Sequence, residues 1–299
     1  LALHLAFNTL QGVKYMKTRT VMQLVTAEKQ ALGPGQSVMV PFPNRKLQYV
    51  DPFVLFHHML PSYQQPGSAM RIPPHPHKGF ETVTLLLDGE LEHYDSHGGH
   101  GIIEEGGVQW MTAGSGVLHS EGPSAAMQQQ GGNLQLVQLW VNLPKAHKLT
   151  APKYQDLKAA DIPVVTRGHL SVRIVAGSFD GVKGPADTFT PMNVLHIRAA
   201  EKGTIILSVD KGYHALAYTL NGRAYSGEES FVKCQMVVFN DDGEQLQLTL
   251  EKGAEVLVLA GEPINEKIVA YGPFVMNSIK EIEEAYEEYR TEQFGTLEY

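Results

Sequence analysis

Short runs rich in Val, Ile, Leu, Thr and aromatic residues recur along the chain, separated by Gly, Asp, Asn and Pro. Examples are SVMVPF, FETVTLLLDGELEHY, GGVQWMTAG, LSVRIVAG, MNVLHIRA, TIILSVD, HALAYTLNG, QMVVFND and EVLVLAG. β-branched and aromatic side chains suit a pleated, half-buried surface. Runs of this length between turn residues predict an all-β fold of the sandwich or barrel type, built of hairpins. Asp88-Gly89 and Asn221-Gly222 are the dipeptides that fit tight hairpin turns.

Those two dipeptides lie about half a chain apart, and each is followed by a Gly-bearing strand pair, VQWMTAG in one half and MVVFNDDG in the other. The weak internal symmetry predicts two copies of one β-domain in tandem. The expected division is an extension over residues 1–15, a first domain over 16–150 and a second over 151–299. The proline-bearing segment LPKAHKLTAPKYQDLKAADIP, roughly 143–163, would be the crossover. One helix is expected, over 278–290: Ser278 and Glu281 form a capping box, and Ile279, Ile282, Tyr286 and Tyr289 recur at helical spacing. Its acidic face reads as a solvated surface.

With 299 residues, 43% of them hydrophobic, the chain can fill two domains of ordinary size. Its 24 basic and 32 acidic residues give a net charge of −8 with no run of Lys or Arg, which argues against direct contact with nucleic acid. The longest apolar runs are too short to span a bilayer. Cys234, in FVKCQMVVF, is the only cysteine, so no internal disulfide forms; it reads as a small buried strand residue. LALHLAF has no basic segment before it and no small-residue cleavage site after it. Residues 1–15 therefore read as an extension rather than a targeting signal, with a native start at Met16 and a cytoplasmic location.

The segment RIPPHPHKGF places His75 and His77 two apart, and TAGSGVLHSEGP does the same with His119 and Glu121. In a strand, residues two apart share a face. Two such pairs on facing strands would supply three imidazole nitrogens and one carboxylate around a common point, leaving two positions of an octahedron open. That donor set suits Fe(II), with Mn, Ni, Cu and Zn as competitors. Pro76 would fix the backbone between two ligands, tolerable on an edge or bulged strand. At this level the four residues also read as ordinary polar groups at strand ends. EHYDSHGGHG puts His93, His97 and His100 on and around a hairpin loop; adventitious metal binding is one reading, but glycines give no rigid ligand frame and these read as solvent-exposed. TAGSGVLH lacks the Lys-Ser/Thr of a phosphate loop, and neither Ser115 nor Ser120 sits in a nucleophile elbow.

Several phrases carry a closer likeness: DPFVLF (51–56), PHPHKGFETVTLLLDGELEHYDS (74–96), GGVQWMTAGSGVLHSEGP (106–123), QLWVNLP (138–144) and YGPFVMNS (271–278). They resemble the pirin family of the cupin superfamily, and the resemblance runs through nearly the whole chain after Met16. It implies a bicupin: two tandem cupin-type β-sandwich or barrel domains, here followed by a C-terminal helix. It also implies one divalent metal, iron by preference, in the first domain, held by His75, His77, His119 and Glu121. Glu81, at the position of the general cupin carboxylate ligand, stays outside that set and reads as an orienting or solvated residue. His57 and His58 stand where pirins usually carry acidic residues, and read as packed or exposed, with lining of the pocket as the alternative. The second copy has no His-x-His, only the lone His214, and is expected to be metal-free.

The implied activity is oxidative cleavage of flavonols such as quercetin by dioxygen, a quercetin 2,3-dioxygenase reaction with Glu121 as catalytic base. Trp110 and Met111, on the strand leading to the site, would line an apolar mouth or pack in the core. The rival reading is non-enzymatic: an iron-dependent redox sensor or transcription cofactor acting through a protein partner, as nuclear pirins are understood to be.

Overall fold

The computed structural model describes residues 16–33, 36–67 and 71–297. The extension expected over residues 1–15 lies outside the described residues. The fold is an all-β bicupin with a helix near its C-terminus. Each barrel pairs a seven-stranded antiparallel sheet with a four-stranded one. In the first, the large sheet runs in the order Lys153–Leu157, Val108–Thr112, Phe80–Asp88, Gly132–Asn142, Phe53–Gln64, Gln36–Phe42 and Glu28–Gly33. Its small sheet holds Ile72–His77, Val117–Pro123, Glu90–Asp95 and His100–Glu104.

Sheet membership departs from the chain order at both ends of the expected division. Val21–Thr26, near the start, pairs with Gln235–Phe239 and becomes the edge of the second barrel's large sheet. Lys153–Leu157, past residue 150, pairs with Val108–Thr112 and closes the edge of the first. The crossover is therefore a working strand, and each barrel borrows one from the other's half of the chain. Arg19 anchors the first exchange: its buried guanidinium donates to the carbonyls of Asp210, Tyr213 and Gly243.

The Asp88-Gly89 and Asn221-Gly222 turns are corners rather than hairpins. The strands flanking each belong to different sheets: Phe80–Asp88 lies in the large sheet and Glu90–Asp95 in the small one, and the second barrel repeats the arrangement. Gly89 takes φ +93° and Gly222 φ +73°. A side chain at Gly89 would also meet the Asn133 carbonyl, with its Cβ 2.3 Å from the oxygen. The positive φ that suits a hairpin serves equally to turn a chain from one sheet onto another.

Alternation along the strands decides what each face packs against. One face of the first large sheet presents Phe56, Val83, Leu85, Trp110, Val137 and Leu139 to Leu216, Tyr218, Leu257 and Leu259 of the second. This apolar layer joins the barrels, each large side chain contributing about 1.5–3 kcal/mol by leaving water. The second barrel's interior is mostly hydrocarbon, with Ile174, Ile197, Leu207, Phe231, Leu246 and Leu248 at its centre. The first barrel's interior is not.

The helix spans Ile279–Arg290, capped by Ser278, whose Oγ accepts from the Glu281 amide at 3.2 Å. Ile282 and Ala285 are its buried residues and cluster with Phe274, Met276 and Phe294; Ile279 is largely exposed. Among the described residues no helix is long and apolar enough to cross a membrane.

Lys148, in the crossover, fixes this C-terminal region to the first barrel. It is buried, and its ammonium donates to the Gly79 carbonyl (2.8 Å), Asn142 Oδ1 (2.7 Å) and the Val275 carbonyl (2.8 Å). Lys148→Met keeps the bulk and strips three buried acceptors of their donor. It should lower stability by about 3 kcal/mol in urea denaturation.

Candidate metal centre

The two motif strands are neighbours in the small sheet of the first barrel. Ile72–His77 is its edge strand and pairs antiparallel with Val117–Pro123, so His75 lies directly opposite His119 and His77 opposite Val117. An edge strand spares Pro76 the ladder bond it cannot donate. The register slips between His119 and Glu121, which brings Glu121 opposite Ile72.

His75, His77 and His119 come together: each offers a donor nitrogen within 4.8 Å of the others. The ring centroids stand 4.1 Å (His75–His119), 4.8 Å (His77–His119) and 4.9 Å (His75–His77) apart. The slip in register gives Glu121 different neighbours. Its Oε1 lies 3.6 Å from His119 Nδ1 and 3.6 Å from His93 Nδ1, and these three form a second donor group that shares His119 with the first.

Two of the imidazoles are oriented by carbonyls. His75 Nδ1 is 3.0 Å from the Pro73 oxygen and His77 Nδ1 is 3.2 Å from the Pro273 oxygen. A carbonyl only accepts, so both rings carry their proton on Nδ1 and leave the Nε2 lone pair free. Burial pushes His77 down to about 3, helped by His75, and pushes His119 well below its ordinary value, helped by His77 and His75. Neutral imidazoles are the form that binds a cation. His119 is fully buried, and neither of its ring nitrogens has a hydrogen-bond partner. Two orphaned nitrogens beside two free lone pairs and a carboxylate fit a divalent ion.

His93 is a correction to the exposed-loop reading. The strand Glu90–Asp95 alternates, turning Leu91, His93 and Asp95 inward, while His97 and His100 remain at the surface. His93 is fully buried, stacked on Tyr154 at 4.9 Å, with Nε2 3.3 Å from Asp95 Oδ2. Gln109 Nε2 lies 3.0 Å from His93 Nδ1 and donates to Glu121 Oε1 at 3.0 Å. Burial alone would raise the Glu121 carboxyl, but the hydrogen bond and charge of His93, with His75 and Gln109, hold it below its ordinary value. The period-two alternation of LEHYD was the signal for His93; for Gln109 the sequence offered none.

Glu121 also lines an apolar cleft enclosing about 610 Å³, its open mouth included, walled by Leu32, Val38, Met59, Leu91, Leu134 and Leu136. His57 is on that wall too. His58 is buried instead, with Nδ1 3.1 Å from the Tyr218 hydroxyl of the second barrel. Trp110 and Met111 pack in the core and do not line the cleft; the indole beside the site is Trp140, 5.1 Å from the His77 ring. Cys234 is half-buried, just ahead of the strand Gln235–Phe239, with φ +65°. His214 is half-buried, with Nδ1 2.8 Å from the Asp51 carbonyl.

A family model described as Pirin matches residues 35–141, and one described as the pirin C-terminal cupin domain matches residues 194–295. The chain belongs to the pirin family. Mouse (Mus musculus) pirin is 34% identical over 284 residues, covering 93% of this chain and 94% of its own. A Pseudomonas aeruginosa protein named as a putative quercetin 2,3-dioxygenase is 39% identical over 274 residues, 90% of this chain and 95% of its own. The solved structure of a quercetin 2,3-dioxygenase from Acinetobacter baumannii superposes with a TM-score of 0.89 at 36% identity, covering 94% of this chain and 99% of its own. The chain is thus similar over 90% and 94% of its length to two proteins that carry that enzyme name.

Glu81 is neither a solvated residue nor part of either donor group. It is buried on the strand face that carries Val83 and Leu85 toward the second barrel, accepting from Thr112 Oγ1 at 2.8 Å. Burial raises its carboxyl from 4.5 to about 7. The folded protein therefore holds this proton between about pH 4.5 and pH 7, where the unfolded chain has lost it. The contribution is fully present below about 4.5 and is lost as pH rises through 7, by about 3 kcal/mol. Glu81→Gln should flatten this part of the pH–stability curve, read from denaturant midpoints at mildly acidic and mildly basic pH.

Proposed function

We propose that this pirin is a metal-dependent dioxygenase that cleaves flavonols such as quercetin, with His75, His77, His119 and Glu121 holding one iron(II) ion. The observation that carries the reading is the His119 ring: buried, unpartnered at both nitrogens, and set between two further imidazoles and a carboxylate that opens onto an apolar cleft. The name of the solved Acinetobacter baumannii relative supports the substrate class. Mixed nitrogen and oxygen donors suit Fe(II), and Mn, Ni, Cu and Zn compete for the same set.

When bound, the ion supplies positive charge that acidifies a coordinating hydroxyl, and a redox couple for dioxygen chemistry. The chain's residues supply the rest. The leucine-rich walls exclude water and hold flat rings. Glu121 is ionised at neutral pH; its Oε1 faces His119 and His93, accepts from Gln109 and keeps a lone pair for the ion. Its other oxygen, Oε2, accepts the proton of the flavonol 3-hydroxyl. The resulting enolate is the electron-rich partner that dioxygen oxidises. The two ring carbon–carbon bonds at C3 break, both atoms of dioxygen enter the ester and acid that form, and C3 leaves with its oxygen as carbon monoxide.

Loss of quercetin absorbance in air, with iron(II)-loaded protein, tests the reading. Glu121→Gln should lower the rate by about 100-fold or more, and His75→Ala should lose both metal and turnover. Absence of turnover in the wild-type protein with its metal retained would overturn the assignment.

A further inference from the structure

One wall of the first barrel carries a line of polar side chains that the proton transfer does not use. Gln109 pairs in register with Thr84, Thr84 with Gln138, and Gln138 with His57, on four adjacent strands. Residues directly opposite one another in antiparallel strands share a face. All four therefore point into the barrel in one row across the sheet. The next row on the same face is hydrocarbon: Leu86, Leu136 and Met59, again in register.

The row begins at the site, because Gln109 donates to Glu121, and it leads away along the cleft. Thr84, Gln138 and His57 all line that cleft. The Thr84 hydroxyl is fully buried and has no hydrogen-bond partner. Among the described residues no hydrogen bond engages the His57 ring or the Gln138 amide either. A buried hydroxyl left open, as at Thr84, points to a ligand that satisfies it, and the half-buried His57 ring and Gln138 amide stand beside it on the same cleft wall. Neighbouring strands are about 4.8 Å apart, so Thr84 and His57 stand about 10 Å apart, comparable with the long axis of a three-ring aromatic.

The lining also fixes the ligand's charge. No Lys or Arg is among the described residues that line the cleft, and Glu121 disfavours an anion. Burial pushes His57 down to about 4, so its ring is neutral and offers one donor and one acceptor. Hydroxyl groups, which both donate and accept, match a threonine, an amide and a neutral imidazole.

We propose that Thr84, Gln138 and His57 are specificity-determining residues that hydrogen-bond the ring hydroxyls of an uncharged polyphenol whose chelating end lies against Glu121. The orientation rests on the dioxygenase reading; the existence of the row does not. Flavonols lacking pendant-ring hydroxyls should bind more weakly than those carrying two, because the row is then left unpaired.

The test is equilibrium binding to the metal-loaded protein without oxygen, read by fluorescence quenching. It uses three flavonols with none, one or two hydroxyls on the pendant ring. Affinity should rise about tenfold across the series. Gln138→Leu and His57→Leu should each bring that ratio close to one, with Thr84→Val as a smaller third substitution and unchanged circular dichroism as the check on folding. A wild-type series with no hydroxyl dependence, or variants that keep the tenfold ratio, would overturn the proposal. Because no turnover occurs under these conditions, a failure of the dioxygenase reading would show separately, in the aerobic assay.

Discussion

A buried imidazole nitrogen with no hydrogen-bond partner costs about 1–3 kcal/mol, and His119 carries two such nitrogens. Both are buried inside the barrel, beside the imidazoles of His75 and His77. Neutral donors do not converge in this way unless the packing around them holds them or a cation draws them together. Here the packing is visible. Cross-strand register sets His75 against His119, the Pro73 and Pro273 carbonyls turn two rings, and Gln109 holds one carboxylate oxygen. The site is preorganised by partners that each spend a hydrogen bond on orientation.

Part of that frame comes from the far end of the chain. Pro273, which orients His77, belongs to a segment that also bridges Lys78 through Phe274 and accepts from Lys148 through Val275. Lys78 pairs with Glu288 of the C-terminal helix, and the Phe294 ring fills the space over Gly116, on the loop that leads to His119. These contacts join residues from 127 to 210 positions apart in sequence. The first barrel's site is complete only when the C-terminal segment is packed against it. Contacts of such long range also close large loops late in folding.

Much of this was legible beforehand. The turn-punctuated β runs predict the all-β class, the repeated turns predict two copies, and the spacing of two in His-x-His and His-x-Glu predicts which side chains share a face. What stayed hidden followed from register and from sheet membership. Whether Asp88-Gly89 closes a hairpin or turns a corner depends on which strands pair, and nothing within five residues decides that. His93 looked like part of a glycine-softened loop, because His97, Gly98 and Gly99 dominate the segment, yet it belongs to the preceding strand. Glu81 sits among residues of mixed character, and only the opposing barrel reveals its face as buried. Gln109 carried no signal, since a polar residue on a strand most often faces water; His57 stood out as a departure from the family pattern, and register places it on the cleft wall.

The two barrels share a topology and differ in what fills them. Leucine, isoleucine and phenylalanine make up much of the second interior, packed against valine and alanine. In the first, histidines, Glu121 and the row from Gln109 to His57 occupy equivalent inward positions, and a cleft remains. Polar interiors weaken a barrel that must stand alone. The apolar layer between the large sheets, the exchanged strands and the folded-back tail couple the weaker barrel to the stronger one. The second domain thereby supports the site through the Pro273 carbonyl on His77 and through a packed core that backs a neighbour whose own interior carries polar groups.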